Sequence, residues 1–257
     1  MAIFKTSEEI ALLREAGRRL AAVLEDVVAA TRPGVTTGEL DTLAEGQIRA
    51  GGDTPSFLGY TPLGANRPYP ATLCVSVNDE VVHGIPNETP KILREGDMVS
   101  LDLGLIHRGV FVDMARTIAV GKVDEAGVRL MEATEASLSA GIAAARPGAR
   151  IGDISAAIAR SAQALGFAIV RELGGHGVGR AVHEAPYVPN EGEAGTGPHL
   201  TLGMTLAIEP MLNEGSRHIF LADDGYTYRT KDHKRSAHFE HTVLLAEGGA
   251  VIVTTTG

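Results

Sequence analysis

Apolar residues recur at helical spacing through residues 7–30, where Ile10, Leu13, Leu20, Leu24, Val27 and Val28 line one side of an amphipathic helix. Thr6 and Glu9 form a capping box ahead of it, and Arg32-Pro33-Gly34 ends it. A second box, Thr36 and Glu39, opens a shorter helix that stops at Gly51-Gly52. Residues 53–70 are rich in proline and glycine and read as loop. Apolar runs then predict strands at 72–77, 81–83, 98–106 and 110–120. The order repeats, with a helix over 124–145, another from about 152 to 165, and strands near 167–172, 204–208, 217–222 and 237–246.

The repetition is visible in the residues themselves. "RPGVTTGEL" at 32–40 and "RPGARIGDI" at 146–154 share Arg-Pro-Gly, a second glycine four positions on, and then an acid followed by an aliphatic residue. An offset of 114 residues is too long for a solenoid unit. It suggests two similar α+β halves, roughly 1–122 and 123–257, packed as a single domain.

Two acids interrupt the strands at 98–120, Asp102 between Leu101 and Leu103 and Asp113 between Val112 and Met114. Aspartate is disfavoured in strands and costly to bury alone. A hairpin turn centred between His107 and Arg108 sets the two directly opposite each other, with Cβ atoms ~4.5–5.5 Å apart. At that distance one carboxylate must hold a proton, or a cation must lie between them. The competing reading is a different register in which each acid faces solvent or caps a turn. Two further acids weigh against it: Glu209 ends the apolar run "TLAIEPML", and Glu240 sits in "SAHFEHTVLL". Pairing each acid with a buried arginine is an expensive way to hold a fold. Four strand carboxylates instead suggest metal chemistry, in which a carboxylate can bridge two divalent ions.

"RELGGHGVGRAVHEAP" places His176 among glycines and His183 seven residues on. Glycines let backbone and ligand approach closely. Imidazole beside carboxylates suits a transition metal and does not suit calcium. The segment lacks the GxGxxG spacing of a nucleotide loop, and Pro186 and Pro189 stand where its helix would run. His83 sits at a strand end before Gly84, a position that is more often structural than catalytic. His107 falls in the hairpin turn, His199, His218, His233 and His238 have no evident partner, and His241 points away from its neighbour Glu240.

Composition narrows the setting. A net charge of −9 argues against broad binding to nucleic acid or an acidic membrane. The one cysteine, Cys74, excludes an intramolecular disulfide and points to the cytoplasm. The first ten residues have neither the basic nor the apolar part of a signal peptide, and no apolar run approaches the ~20 residues of a spanning helix. Motifs for HExxH, CxxC, GxSxG and P-loop chemistry are absent.

Taken in order, "CVSVNDEVVHGIP", "SLDLGLIHRGVFVDMART", "GGHGVGRAVHEAP", "AIEPM" and "FEHTVLL" resemble type I methionine aminopeptidases, over nearly the whole chain. That resemblance implies an α+β pita-bread fold, a curved antiparallel sheet flanked by helices with a pseudo-twofold between its halves. It implies a dinuclear centre of two divalent ions (Co, Mn, Fe or Zn) held by Asp102, Asp113, His176, Glu209 and Glu240, with Asp113 and Glu240 bridging. It implies removal of an N-terminal methionine that precedes a small residue, from peptides and nascent chains. Activated water attacks the first peptide carbonyl, and Glu209 passes the proton to the leaving amine. His183 hydrogen-bonds the developing oxyanion or the peptide, and His83 the scissile nitrogen. Cys74, Tyr60 and Tyr69 lie near the methionine pocket, and Asn78 and Ser236 near a monovalent cation. The implied protein is a monomer with transient ribosome contact, no membrane and no specific nucleic acid.

The sequence departs from the family at the pocket. "TPLGANRP" at 61–68 is longer than the usual loop, Val182 replaces an aromatic residue, and Tyr226 stands where a tryptophan is common. Two other readings share the ligand set or the fold: an Xaa-Pro peptidase of the prolidase or aminopeptidase P kind, and a non-catalytic binding protein.

Overall fold

Thr6 opens the first helix as its pattern predicts. Its hydroxyl accepts from the Glu9 N–H, and the Glu9 carboxylate accepts from the Thr6 N–H, both at 3.2 Å. In the computed structural model, which describes residues 1–4 and 6–256, this helix is α1 (Ser7–Ala30). The Thr36–Glu39 box opens α2 (Thr37–Ala50). There follow β1 (Thr54–Pro55), β2 (Leu73–Val77), β3 (Glu80–Val82) and the long pair β4 (Met98–His107) and β5 (Val110–Ala119). Next come α3 (Glu125–Ala144), α4 (Ile151–Ala164), β6 (Ala168–Ile169), β7 (Gly174–Gly177), β8 (Glu184–Pro189) and β9 (Thr205–Ile208). The chain continues through β10 (Met211–Asn213), β11 (Ile219–Leu221), β12 (Tyr228–Thr230), β13 (Ser236–His238), β14 (Glu240–Ala246) and β15 (Gly249–Ile252). Among the described residues no helix is long and apolar enough to cross a membrane.

The sequence echo has a structural counterpart. Gly34 and Gly148, the glycines of the two Arg-Pro-Gly turns, take φ of 92° and 90°, which glycine tolerates and other residues rarely adopt. Gly34 N–H donates to the Leu93 carbonyl at 2.8 Å, and Gly148 N–H to the Leu200 carbonyl at 2.9 Å. Leu93 and Leu200 donate back to Val35 and Ala149, each at 2.8 Å. Each turn thus clips the entrance of its helix, α2 or α4, to a later loop.

A nine-stranded antiparallel sheet carries strands from both parts of the chain, in the order β1-β4-β5-β14-β9-β7-β8, with β2 on β4 and β15 on β14. Period-two alternation splits its strands between two environments. Leu101, Leu103 and Leu105 of β4 and Val110, Val112 and Met114 of β5 pack with Leu13, Leu20 and Leu24 of α1. Leu206, Ile208, Val243 and Leu245 pack with Leu130 of α3 and Ile154 and Ile158 of α4. The face left over by the helices receives the acids.

The hairpin register differs from the expected one. Gly104 lies opposite Asp113, and Asp102 opposite Ala115, so the acids are diagonal neighbours. The turn residues are Arg108 and Gly109, with φ of 49° and 81°, and a non-glycine side chain at positive φ is what pattern reading misses. A shift of two residues keeps both carboxylates on one face, whereas a shift of one would have separated them. The strand expected over 237–246 also breaks at Phe239, where the chain leaves the small sheet β13-β10-β6 and joins the large one. The expected strand at 167–172 shrinks to β6, and the glycine-rich segment folds into the β7–β8 hairpin.

Candidate metal centre and active site

Successive strands of the sheet deliver the candidate ligands to one place. Asp102 comes from β4, Asp113 from β5, Glu240 from the start of β14, Glu209 from the residue after β9, and His176 from β7. Pro210 ends β9 so that Glu209 leaves the ladder at the cavity. Asp113, His176 and Glu240 offer ligand atoms that all lie within 4.8 Å of one another. His176 Nε2 lies 3.5 Å from Glu209 Oε1. Nδ1 of His176 lies 3.0 Å from the Gly177 carbonyl, which can only accept, so Nδ1 carries the hydrogen and Nε2 presents a lone pair to the acids. Thr242 fixes Asp113 by accepting from its N–H at 2.9 Å and donating to its carbonyl at 2.7 Å.

Burial dominates the electrostatics. Asp102, Asp113 and Glu240 are 8%, 5% and 2% exposed, and Asp102 Oδ1, Asp113 Oδ1 and Glu240 Oε1 have no hydrogen-bond partner among the described residues. Desolvation raises all four carboxyls: Asp102 to about 7, Glu209 to about 8, and Asp113 and Glu240 well above the usual range, each of these two pushed further by its acidic neighbours. Burial lowers His83 to about 4 and His176 to about 3, and also lowers His183, so all three imidazoles are neutral near pH 7. Orphaned carboxylate oxygens around an available imidazole nitrogen are a poor arrangement for protein alone and a fitting one for divalent cations.

The cavity beside this cluster is lined by Tyr60, Tyr69, Cys74, His83, His183 and Tyr226, together with Phe57. Its apolar wall, Phe57, Tyr69, Cys74 and Tyr226, belongs to a buried group that also includes Ile85 and Val182. Cys74 pairs with Asp102 across β2 and β4, and burial, with Asp102 next, pushes its thiol well up, so it serves as a neutral wall residue. His183 Nδ1 lies 2.9 Å from the Tyr60 hydroxyl, and its ring stands edge-on to His176 with centroids 4.3 Å apart. With the phenol donating to Nδ1, Nε2 of His183 carries the hydrogen and can donate to a carbonyl. His83 takes φ of 60° and is anchored next to Gly84, whose carbonyl accepts from Val75 N–H at 2.9 Å. The 61–68 loop is pinned at its base, where Arg67 donates to both oxygens of Glu88 and the Tyr226 hydroxyl donates to the Arg67 carbonyl. Asn78 and Ser236 adjoin: the Ser236 N–H donates to the Asn78 carbonyl at 2.9 Å, while the Asn78 side chain is engaged by Asp97 and the Met98 N–H.

Two residues at the centre escape the sequence reading. Phe57 lies in the stretch read as loop. His238 is buried with Nε2 3.5 Å from Glu209 Oε2 and 4.0 Å from Glu240 Oε2. Its signal was alternation, since a residue two before Glu240 shares that acid's face. The same rule correctly sends His241 to the other side, where its Nδ1 lies 2.9 Å from the Thr254 hydroxyl.

The glycines around His176 serve backbone packing and make no opening for a ligand. A Cβ on Gly175 would lie 2.2 Å from the Ala207 carbonyl oxygen, and one on Gly177 2.3 Å from that of Ala185. Gly175→Ala should therefore destabilise the protein by about 2 kcal/mol or more, because backbone must move to admit the methyl. Chemical denaturation checks this, and an unchanged midpoint would mean that β7 and β9 separate without cost.

The sequence matches metallopeptidase family M24 over residues 11–247. It is 45% identical over 254 residues to a methionine aminopeptidase of Clostridium perfringens, covering 99% of each chain. It is 43% identical over 251 residues to one of Aquifex aeolicus, covering 97% of each. The structure resembles the methionine aminopeptidase of Thermotoga maritima with a TM-score of 0.93 at 42% identity, over 99% of this chain and all of that one. A prolidase of Pyrococcus horikoshii shares the fold, with a TM-score of 0.75 at 21% identity, but this chain covers only 64% of it. The α+β pita-bread fold implied by the sequence is the fold observed. The chain belongs to metallopeptidase family M24.

Proposed function

We propose that the protein is a methionyl aminopeptidase that removes N-terminal methionine ahead of a small second residue. The observation that carries this is the buried cluster of orphaned carboxylate oxygens and one available imidazole nitrogen, set against an apolar cavity. Asp102, Asp113, His176, Glu209 and Glu240 would hold two divalent ions (Co, Mn, Fe or Zn). When bound, the ions supply the Lewis acidity that makes water a nucleophile near neutral pH. Glu209 takes a proton from that water and passes it to the leaving amine. His183, oriented by Tyr60, donates from Nε2 to the carbonyl oxygen as it gains charge, and His83 meets the scissile nitrogen. The methionine side chain, soft and adaptable, packs among Phe57, Tyr69, Cys74 and Tyr226. The free amine lies on the Asp102 side of the centre, which confines cleavage to the first peptide bond.

We read the whole chain as one catalytic domain, with halves 1–122 and 123–257 contributing to a common sheet. The working setting is a cytoplasmic monomer that meets nascent chains at the ribosome, with a monovalent cation near the adjoining backbone of Asn78 and Ser236.

Peptide cleavage across metals tests the function. With Mn, Co or Fe added, the protein should release methionine from Met-Ala-Ser and leave Ala-Pro intact. Preference for Ala-Pro would favour the Xaa-Pro reading. Failure to cut Met-Ala-Ser with every metal, with no loss of stability on chelation, would favour a binding protein.

A further inference from the structure

Glu209 offers one carboxylate oxygen to each of two imidazoles: His176 Nε2 is 3.5 Å from Oε1, and His238 Nε2 is 3.5 Å from Oε2. The imidazoles are not equivalent. The Gly177 carbonyl takes the Nδ1 hydrogen of His176 and leaves its Nε2 bare. For His238 the buried atom without a hydrogen-bond partner among the described residues is Nε2, with the carboxylates of Glu209 and Glu240 within 4.0 Å. With both acids ionised, as holding a metal requires, a bare lone pair there would be repelled by both. The tautomer with hydrogen on Nε2 is attracted to both. The backbone that carries the ring is held firmly. Thr117 Oγ1 accepts from the His238 N–H at 2.8 Å and donates to its carbonyl at 2.9 Å, Ser100 Oγ lies 2.8 Å from Thr117 Oγ1, and β10 pairs Met211 with His238.

We propose that His238 is a positioning residue of the metal centre, its Nε2–H spanning the Glu209 and Glu240 carboxylates and holding both in the orientation in which they meet the ions. It does not itself ligate one. The proposal rests on reading Glu209 and Glu240 as metal-holding residues. A movement of about 0.5 Å by the Glu209 carboxylate brings it to hydrogen-bond length, the tightening expected when an ion draws the acids together.

The test titrates Mn(II) into metal-free wild-type, His238→Ala and His238→Gln proteins, with free Mn(II) followed by electron paramagnetic resonance. Visible absorption spectra of the Co(II) forms are recorded in parallel. Alanine removes the donor and should weaken Mn(II) binding about 10–100-fold, the usual cost of losing a group that orients a ligand. The glutamine amide keeps a donor and should stay within about threefold of wild type. Its Co(II) spectrum should overlay the wild-type spectrum, because the ligand set is unchanged. Wild-type affinity in His238→Ala overturns the proposal. So does a glutamine variant with as large a loss as alanine, or one whose altered spectrum marks a lost imidazole ligand. If the alanine variant does not fold, the glutamine variant decides by the same two criteria. A wild-type protein that binds neither ion would overturn the underlying reading of the centre instead.

Discussion

Glu209→Gln should lower kcat/KM on Met-Ala-Ser by about 10²–10⁴-fold, the range expected for losing a group that moves a proton in the transition state. The same change should make the metal-free protein more stable at pH 8.5. Glutamine keeps the volume of the side chain and removes its charge and its capacity to accept the water's proton. Burial lifts the Glu209 carboxyl to about 8, so at pH 8.5 the metal-free fold holds a mostly ionised group in a poorly solvated place. Asp102 and Asp113 both feel its charge as repulsion. A neutral amide of the same shape removes that cost, on the order of 1–4 kcal/mol for a buried charge replaced by a well-fitting neutral group. Opposite movements of activity and stability separate a functional acid from a structural one. Steady-state kinetics and thermal melts of chelated protein measure both. A variant that keeps a tenth of the activity would remove Glu209 from the proton path. One that is less stable than wild type would mean that contacts to the carboxylate outweigh its desolvation.

The acids are the most legible part of this sequence, for a physical reason. An aspartate inside a strand of leucines conflicts with local preference, and such conflicts gather at functional sites. Asp102, Asp113, Glu209 and Glu240 all break the pattern of their strands, and all reach one cavity. Their register is less legible, because it depends on Arg108 accepting a positive φ, and backbone conformation at a turn leaves no periodic trace. Short strands are illegible for a related reason. Of the three-residue strands, β10 and β12 are too short to show a period, and pairing partners far along the chain hold them in place. Phe57 shows the limit most plainly. Its segment has the proline and glycine content of a loop, and only the fold brings it to the cavity that Tyr226 also lines. His238 stands two residues before Glu240 inside the strand expected over 237–246, and the break at Phe239 that gives it a strand of its own leaves no mark in the sequence.

Removing the metal should turn the centre into the main pH-dependent weakness of the fold, and the direction follows from the groups already named. Asp102, Asp113, Glu209 and Glu240 have carboxyls raised above their unfolded values, Asp102 to about 7 and Glu209 to about 8. Where the unfolded chain is already ionised near pH 4–5, the native state still holds protons. Stability is therefore greatest below the unfolded values and falls as pH rises through the folded ones. The buried histidines act oppositely in a lower window. His83, His176 and His241 are lowered to between about 3 and 4, so they cost stability only as pH drops below their unfolded value of 6.5. Between pH 6.5 and 8 the carboxyls act alone among these groups, and the metal-free protein should lose about 1.4 kcal/mol per pH unit for each proton it holds in excess of the unfolded chain. Over that window one such proton is worth about 2 kcal/mol, or a fall of roughly 4–8 °C in melting temperature for a chain of this size. Saturating divalent metal should abolish the slope, since cations take the place of those protons, and should add about 4 kcal/mol at a concentration 1,000-fold above Kd. Calorimetric melts of chelated and metal-loaded protein across pH 6.5–8 decide the matter, with proton release on metal addition at pH 7 as an independent readout. A chelated protein whose melting temperature rises through this window would show that the four carboxylates are stabilised by protein alone, and the case for a metal centre built from them would fail.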